Sequence, residues 1–343
     1  MLTDNLRITK AHPLLTPALL EEEFPCSEAV AATTTSGRIA IEKIFNRDDD
    51  RLLVVVGPCS IHDLDAATEY AHKLRRLAEE LESRLLLVMR VYFEKPRTVI
   101  GWKGLINDPD LDGSYRINKG LRLARKLLLE IGEIGLPVGT EFLDTTLGQF
   151  YTDLISWGAI GARTAESQVH RELASGLSMP VGIKNRTDGD VQVAVDAIRS
   201  ARHRHLFPSL TKAGMPAILE TAGNPLCHLV LRGGSKSGPN YSEAAIASAR
   251  EKLKRFELPE TLMIDCSHGN SEKDPDKQPH VAREVLRQRV AGEDSIRAMM
   301  LESHLQHGRQ EINLNELTYG QSITDACLGF DETADLLRRI AEG

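Results

Sequence analysis

Apolar residues fall along this chain in short unbroken runs separated by longer amphipathic stretches. The sharpest run is Leu52-Leu-Val-Val-Val56, which stops at Gly57-Pro58-Cys59. A strand buried on both faces reads this way, and its abrupt end marks where the chain must meet solvent or a ligand. Asp63 then opens a helix over 64–81, with Leu64, Ala67, Ala71, Leu74, Leu77, Ala78 and Leu81 on one stripe. The unit is strand, polar loop, helix.

The unit recurs. Further strand-like runs lie at 85–93, 136–142, 159–163, 179–184, 227–231, 262–266 and 296–301, with helical patterns at 119–134, 149–155, 167–175, 190–199, 241–256, 280–289 and 331–341. With the opening strand this makes eight strand–helix units, which favours an α/β fold of the (β/α)8 TIM-barrel type over an open doubly wound sheet. Two short runs, 206–211 and 217–221, flank Lys212-Ala-Gly-Met-Pro216 and predict a β-hairpin inserted at about 206–221. Residues 1–50 precede the barrel, which occupies 51–343. In this extension 4–8 could pair as a strand, within the chain or on another subunit, Thr16-Pro17 opens a short helix, and 29–45 reads as a longer one with Ile39, Ile41 and Ile44 turned inward. Too small for a domain of its own, it is expected to cap the barrel or to make oligomer and regulatory contacts, in a homodimer or homotetramer.

Composition narrows the function classes. A chain that is 41% hydrophobic and 27% charged can bury a large core, and a net charge of -7 without a basic block argues against nucleic acid while leaving room for small anions. No apolar run approaches the ~20 residues of a membrane span. Five irregularly spaced cysteines do not make a disulfide framework, so a reducing, cytoplasmic setting is expected.

Candidate chemistry gathers at the carboxyl ends of the strands. The second run leads through Arg90 into Lys95-Pro96-Arg97-Thr98, and Arg90 sits inside an apolar stretch where an unpaired charge is costly. Arg163, Lys184 and Arg232 follow the fourth, fifth and sixth runs. Cations delivered to one rim by four strands imply a densely anionic ligand, such as phosphate and carboxylate together. Gly233 and Gly234 would let phosphate oxygens approach backbone N–H groups. The last loops carry Cys266, His268, Glu302 and Asp325. With Cys59 they offer thiolate, imidazole and carboxylate to a divalent first-row transition ion. No pair has the spacing of a local metal motif, His62, His170 and His304 compete for the imidazole role, and a packed-core reading of the same residues stays open.

Taken together, GPCSIH at 57–62, MRVYFEKPRT at 89–98, GTEFLD at 139–144, WGAIGART at 157–164, KNRTDG at 184–189, LRGG at 231–234, IDCSH at 264–268, ESH at 302–304 and YGQSITDAC at 319–327 closely resemble the class I 3-deoxy-7-phosphoheptulonate (DAHP) synthases of the microbial, aromatic-regulated branch. The likeness runs from about residue 6 to 340. It implies a barrel enzyme condensing phosphoenolpyruvate with erythrose 4-phosphate at the entry to the shikimate pathway, with one divalent metal (Mn2+, Fe2+, Co2+ or Zn2+) per subunit held by Cys59, His268, Glu302 and Asp325. It also implies that Arg90, Lys95, Arg163, Lys184 and Arg232 surround phosphoenolpyruvate, that Lys95, Pro96, Arg97 and Thr98 face the aldehyde substrate, and that Asp325 is among the substrate-binding residues. Lys95, His268 and Cys59 are then the residues expected nearest the chemistry. A related phosphoenolpyruvate-aldose synthase, or an inactive effector- or partner-binding paralogue, would keep much of the same pattern. An aromatic amino acid effector would lie near Asn5, Asp144, Gly148, Leu173, Leu177, Ser178, Phe207, Ser209 and Leu219. The chain departs from the family pattern at Gly148, usually proline, and at Arg186, usually glycine, so inhibition is expected to be weak, altered or absent, and Asn5 favours tyrosine if an effector binds.

Overall fold

The structure, a computed structural model, describes residues 3–97 and 99–343; Thr98, expected at the cleft beside Arg97, lies outside them. The strands are β1 (Leu52–Gly57), β2 (Leu85–Arg90), β3 (Val138–Glu141), β4 (Trp157–Ile160), β5 (Val181–Lys184), β6 (Leu206–Leu210), β7 (Pro216–Glu220), β8 (Cys227–Leu231), β9 (Leu262–Asp265) and β10 (Ile296–Glu302). The helices are α1 (Pro17–Glu23), α2 (Glu28–Asn46), α3 (Leu64–Leu81), α4 (Ile117–Glu133), α5 (Gln168–Gly176), α6 (Gln192–Ala201), α7 (Glu243–Arg255), α8 (Gln278–Val290) and α9 (Phe330–Glu342). Eight strands close into a parallel barrel in the order β1-β10-β9-β8-β5-β4-β3-β2, while β6 and β7 form a separate antiparallel pair.

Alternation along β1 builds two cores at once. Leu53 and Val55 point into the barrel with Val88, Trp157, Val230, Met263 and Met300, whereas Leu52, Val54 and Val56 meet the surrounding helices. Ile41, Ile44 and Phe45 of α2 join the interior cluster and seal the amino end of the barrel. Arg297 of β10 fixes this plug by donating to the Ile44 carbonyl at 2.9 Å. The active rim is therefore the opposite, carboxyl end.

Three sequence expectations need correction here. Ile39 is 48% exposed rather than inward, because the buried stripe of α2 runs through Val30, Thr34, Gly37, Ile41 and Ile44, and a residue two positions from Ile41 lies on the far side of a helix. Gly37 belongs to that stripe for a steric reason: a Cβ there would stand 2.8 Å from Ser156 Oγ. The segment 149–155 forms two short 3-10 turns, Leu147–Phe150 and Thr152–Leu154, instead of an α-helix. Side chains take the carbonyls a helix would need, since Lys212 donates to Gln149, Arg125 to Phe150, and Arg38 to Thr152 and Ile155. Residues 4–8 make no strand within one chain, and Leu6 and Ile8 stay exposed.

Candidate active site

The turn after β1 is shaped by Gly57, where a Cβ would approach the Arg90 carbonyl oxygen to 2.7 Å. This close approach lets Arg90 reach across, donating from Nε to the Pro58 carbonyl at 3.1 Å and from Nη2 to the Cys59 carbonyl at 3.2 Å. Arg90 is buried, ion-paired to Glu302 at 2.9 Å, and lies over the Tyr92 ring at 3.5 Å. An isolated charge at this depth would be expensive, so Glu302 and the ring face both serve to keep the guanidinium in place.

Cys59, Glu302 and Asp325 converge beside it, their ligand atoms all within 4.8 Å of one another. They come from the turn after β1, from β10 and from the loop before α9. The Ser60–Thr324 hydroxyl contact at 2.8 Å ties that loop to the first strand end. Burial and the neighbouring Glu302 push the Cys59 thiol up. Burial also opposes charge on Asp325, but Lys95, His268 and Lys273 outweigh it and hold that carboxyl below its usual value. A thiol and two carboxylates packed this closely repel one another as anions, and a divalent cation would relieve the repulsion; the donor set fits a transition ion. His268 stands at the edge of this cluster, with Nε2 3.6 Å from Glu302 Oε1.

Lys95 Nζ lies 3.1 Å from Cys59 Sγ. Burial favours its neutral form, yet Cys59 and Glu302 together hold the ammonium above its usual pKa. On the other wall, Asp265 at the end of β9 meets Lys184 at 3.1 Å and His268 Nδ1 at 2.9 Å through one oxygen, while its second accepts from Ser267 N and Oγ. Burial opposes the charge of Asp265, and His268 and Lys184 overcome that to keep its carboxyl well below the usual range.

Above this floor opens a cleft of about 500 Å³ lined by Arg90, Lys95, Pro96, Arg97, Arg163, Lys184, Arg232, His268 and Asp325 among others. The structure thus gathers the expected rim cations into one concave site, with Cys59 and Glu302 beneath. Lys273 and Arg309 also line it and were missed by sequence reasoning. Lys273 lies in the polar tract Ser271-Glu-Lys-Asp274 and reads as ordinary solvated loop. Asp265 had a visible signal, a lone charge ending the apolar strand Leu262–Asp265.

The glycines after β8 do not serve as expected. Gly233 N donates to Asn240 Oδ1 and Gly234 N to the Gly238 carbonyl, so neither is free for phosphate. Their smallness permits loop packing instead: a Cβ on Gly233 would come within 2.4 Å of the Gly269 backbone, and one on Gly234 within 2.4 Å of Gly189. Cys266 and His268 also part company, because β9 ends at Asp265 and His268 adopts a left-handed φ of 54°. Cys266 is buried in the helix-facing core.

The expected effector residues lie elsewhere. Phe207 and Ser209 of β6 and Leu219 of β7 share the half-buried face of the hairpin, with Phe207 paired to Leu219. Leu173 lies within α5, and Leu177 and Ser178 follow its carboxyl end. Asp144 caps the turn that contains Gly148, accepting from Thr146 N and Leu147 N. Asn5 is exposed, and its hydrogen bonds stay within the amino-terminal arm. Arg186 forks onto Asp188 and reaches Glu166, joining the loops after β4 and β5.

A closed parallel barrel with cations converging over a thiol–carboxylate cluster defines a (β/α)8 enzyme that handles phosphorylated anions at its carboxyl rim. Residues 27–338 match the DAHP synthetase I family, and the chain belongs to it. It is 55% identical over 340 residues to the Trp-sensitive phospho-2-dehydro-3-deoxyheptonate aldolase of Escherichia coli K12, covering 99% of this chain and 97% of that protein. Its identity to the Phe-sensitive enzyme of the same strain is 56% over 339 residues, covering 98% and 96%. The solved phospho-2-dehydro-3-deoxyheptonate aldolase of Francisella tularensis SCHU S4 superposes with a TM-score of 0.95 at 52% identity, covering 97% of each chain. Members of the family are DAHP synthases, and this chain is such an enzyme: it condenses phosphoenolpyruvate with erythrose 4-phosphate in aromatic biosynthesis.

Proposed function

We propose the following division of roles for the condensation. Arg163, Lys184 and Arg232 hold the carboxylate and phosphate of phosphoenolpyruvate, supported by their convergence on one wall of the cleft. Arg90 and Lys95 extend that anion site toward the floor, and Pro96, Arg97 and Thr98 receive the phosphate end of erythrose 4-phosphate. Cys59, His268, Glu302 and Asp325 would hold one divalent ion, chosen from Mn2+, Fe2+, Co2+ and Zn2+ by the softness of the thiol, which when bound supplies Lewis-acid polarisation of the aldehyde oxygen.

C3 of phosphoenolpyruvate attacks the aldehyde carbon, forming the new C–C bond, and the positive charge developing at C2 is met by water. Loss of the water's proton gives a phosphohemiketal, which expels inorganic phosphate by C–O cleavage and leaves the C2 ketone. Lys95, kept protonated by its anionic neighbours, supplies the proton to the new alkoxide. Asp265 orients His268 and Lys184 on the opposite side.

An aromatic amino acid, tyrosine by preference, regulates the enzyme from the hairpin side. The Trp-sensitive and Phe-sensitive names of two relatives support regulation of this kind. The assembly is a homodimer or homotetramer. Five free cysteines, four of them buried, favour the cytoplasm; among the described residues no helix is long and apolar enough to cross a membrane.

The observation that carries the reading is the placement of the rim cations directly over Cys59, Glu302 and Asp325. The test is phosphate release from phosphoenolpyruvate with erythrose 4-phosphate or arabinose 5-phosphate, after chelation and again after adding manganese, with each aromatic amino acid present in turn. Release should need erythrose 4-phosphate and manganese and should fall with one effector. Equal turnover of the five-carbon aldose would point to the related eight-carbon synthase.

A further inference from the structure

Three asparagines from three different loops meet behind the cleft, and none of them touches its interior. Asn185 follows β5, Asn240 precedes α7 and Asn270 follows β9, and all are buried. Asn185 Oδ1 accepts from Arg232 N at 2.8 Å and from Asn240 Nδ2 at 3.2 Å, while Asn185 Nδ2 donates to the Gly233 carbonyl at 3.0 Å. Asn240 Oδ1 accepts from Gly233 N at 2.7 Å, and Asn240 N donates to Asn270 Oδ1 at 2.8 Å. Asn270 Nδ2 closes the set by donating to the carbonyls of Leu231 and Asp265 at 3.1 and 2.8 Å.

The backbone at Arg232 and Gly233 is consequently saturated. Arg232 N and Gly233 N end on asparagine oxygens, the Gly233 carbonyl ends on Asn185 Nδ2, and the Arg232 carbonyl accepts from Gly269 N at 3.0 Å. By contrast, the guanidinium makes one hydrogen bond among the described residues, to the Gly233 carbonyl at 3.3 Å, and lines the cleft. A fully hydrogen-bonded backbone beneath a nearly unpaired cation is the arrangement expected where a long side chain must enter a site from a fixed origin. Each asparagine amide both donates and accepts, which a carboxylate of the same reach cannot reproduce.

We infer that Asn185, Asn240 and Asn270 are positioning residues that fix the point from which Arg232 reaches the anionic substrate, and that Asn240 is their hub. The inference rests on the assignment of Arg232 to phosphoenolpyruvate. A shift of about 1 Å in such an anchor can weaken a productive contact by tens of fold.

The test is a double-mutant cycle on the full-length, manganese-loaded protein, comparing wild type, Asn240→Ala, Arg232→Ala and the double variant. Phosphoenolpyruvate affinity is read by calorimetry, and KM for each substrate by phosphate release. Asn240→Ala should raise Kd and KM for phosphoenolpyruvate about tenfold or more and leave KM for erythrose 4-phosphate within about twofold. In the Arg232→Ala background the same substitution should add less than about twofold, because its effect passes through a side chain already gone. Equal losses in both backgrounds, or unchanged phosphoenolpyruvate binding in Asn240→Ala, would reduce the network to a fold-holding role and overturn the inference. If Arg232→Ala alone binds phosphoenolpyruvate normally, the assignment of Arg232 fails as well. Should Asn240→Ala not give a cooperative thermal melt, Asn185→Ser carries the same cycle with the same expected outcomes.

Discussion

Asp265 has no exposed surface, and both of its oxygens are committed to neighbours. It is the shared counter-charge of Lys184, which lines the cleft, and of His268 beside the thiol–carboxylate cluster, so two cleft side chains depend on one carboxylate. Asp265→Asn would leave Lys184, itself buried, without its ionic partner, at a cost of about 3 kcal/mol. Urea unfolding should show that loss together with a raised KM for phosphoenolpyruvate; a change below ~1 kcal/mol would mean Lys184 finds another partner. His228 presents the opposite case at the sealed end of the barrel. Its Nε2 lies 3.3 Å from Trp157 Nε1 and its Nδ1 3.1 Å from the Leu226 carbonyl, an arrangement that needs a neutral ring. Burial lowers its pKa to about 4. The folded value lies below the unfolded one, so the stabilisation is fully present above about pH 6.5 and is lost as pH falls toward 4, amounting to about 2 kcal/mol between pH 7 and pH 5. The difference in unfolding free energy between wild type and His228→Gln should therefore shrink over that interval. A pH-independent difference would show that His228 does not titrate in the native barrel.

Among the elements, the barrel strands were legible because parallel strands covered on both sides must be almost continuously apolar, as β1 is. What was not legible depended on partners distant in sequence. Residues 149–155 have a helical pattern, but Arg38, Arg125 and Lys212 take the carbonyls, and nothing local announces those donors. The same holds at the site: Arg90, Lys184 and Arg232 were visible as charges ending strands, whereas the asparagines behind Arg232 look like ordinary loop residues until three loops are brought together. Gly148 sits in the first of the 3-10 turns with room for a side chain, since an added Cβ would meet Phe142 at an ordinary 3.5 Å. Its φ is not left-handed, so glycine is not required there. Gly148→Ala should then stabilise the protein by about 0.5 kcal/mol through the unfolded chain. A destabilised variant in thermal or urea melts would show that the turn needs glycine's freedom after all.

At the scale of the whole molecule, the apolar residues of the barrel and its helices have partners, while a smaller exposed set does not. The barrel consumes its strands, the helices cover it, and α2 plugs its base, yet the hairpin exposes Leu206, Met215 and Ile218 at 55, 63 and 75%, and the amino-terminal arm exposes Leu6 and Ile8 at 71 and 64%. The hairpin alternates cleanly: Phe207, Ser209 and Leu219 turn inward while Leu206 and Ile218 turn out, so the exposed residues occupy one outer face rather than scattered positions. A two-stranded ribbon also leaves both edges unpaired, and a contiguous apolar face with open edges favours association with another copy. The expected species at micromolar concentration is a homodimer or larger, measured by light scattering on a size-exclusion column. Ile218→Lys, placed at the most exposed of the hairpin positions, should lower the assembled mass while leaving urea stability of the monomer within about 0.5 kcal/mol. A wild-type protein that stays monomeric, or a variant that keeps the full mass, would remove the hairpin from the subunit contact and move the search to the arm, where Leu6→Lys and Ile8→Lys repeat the measurement.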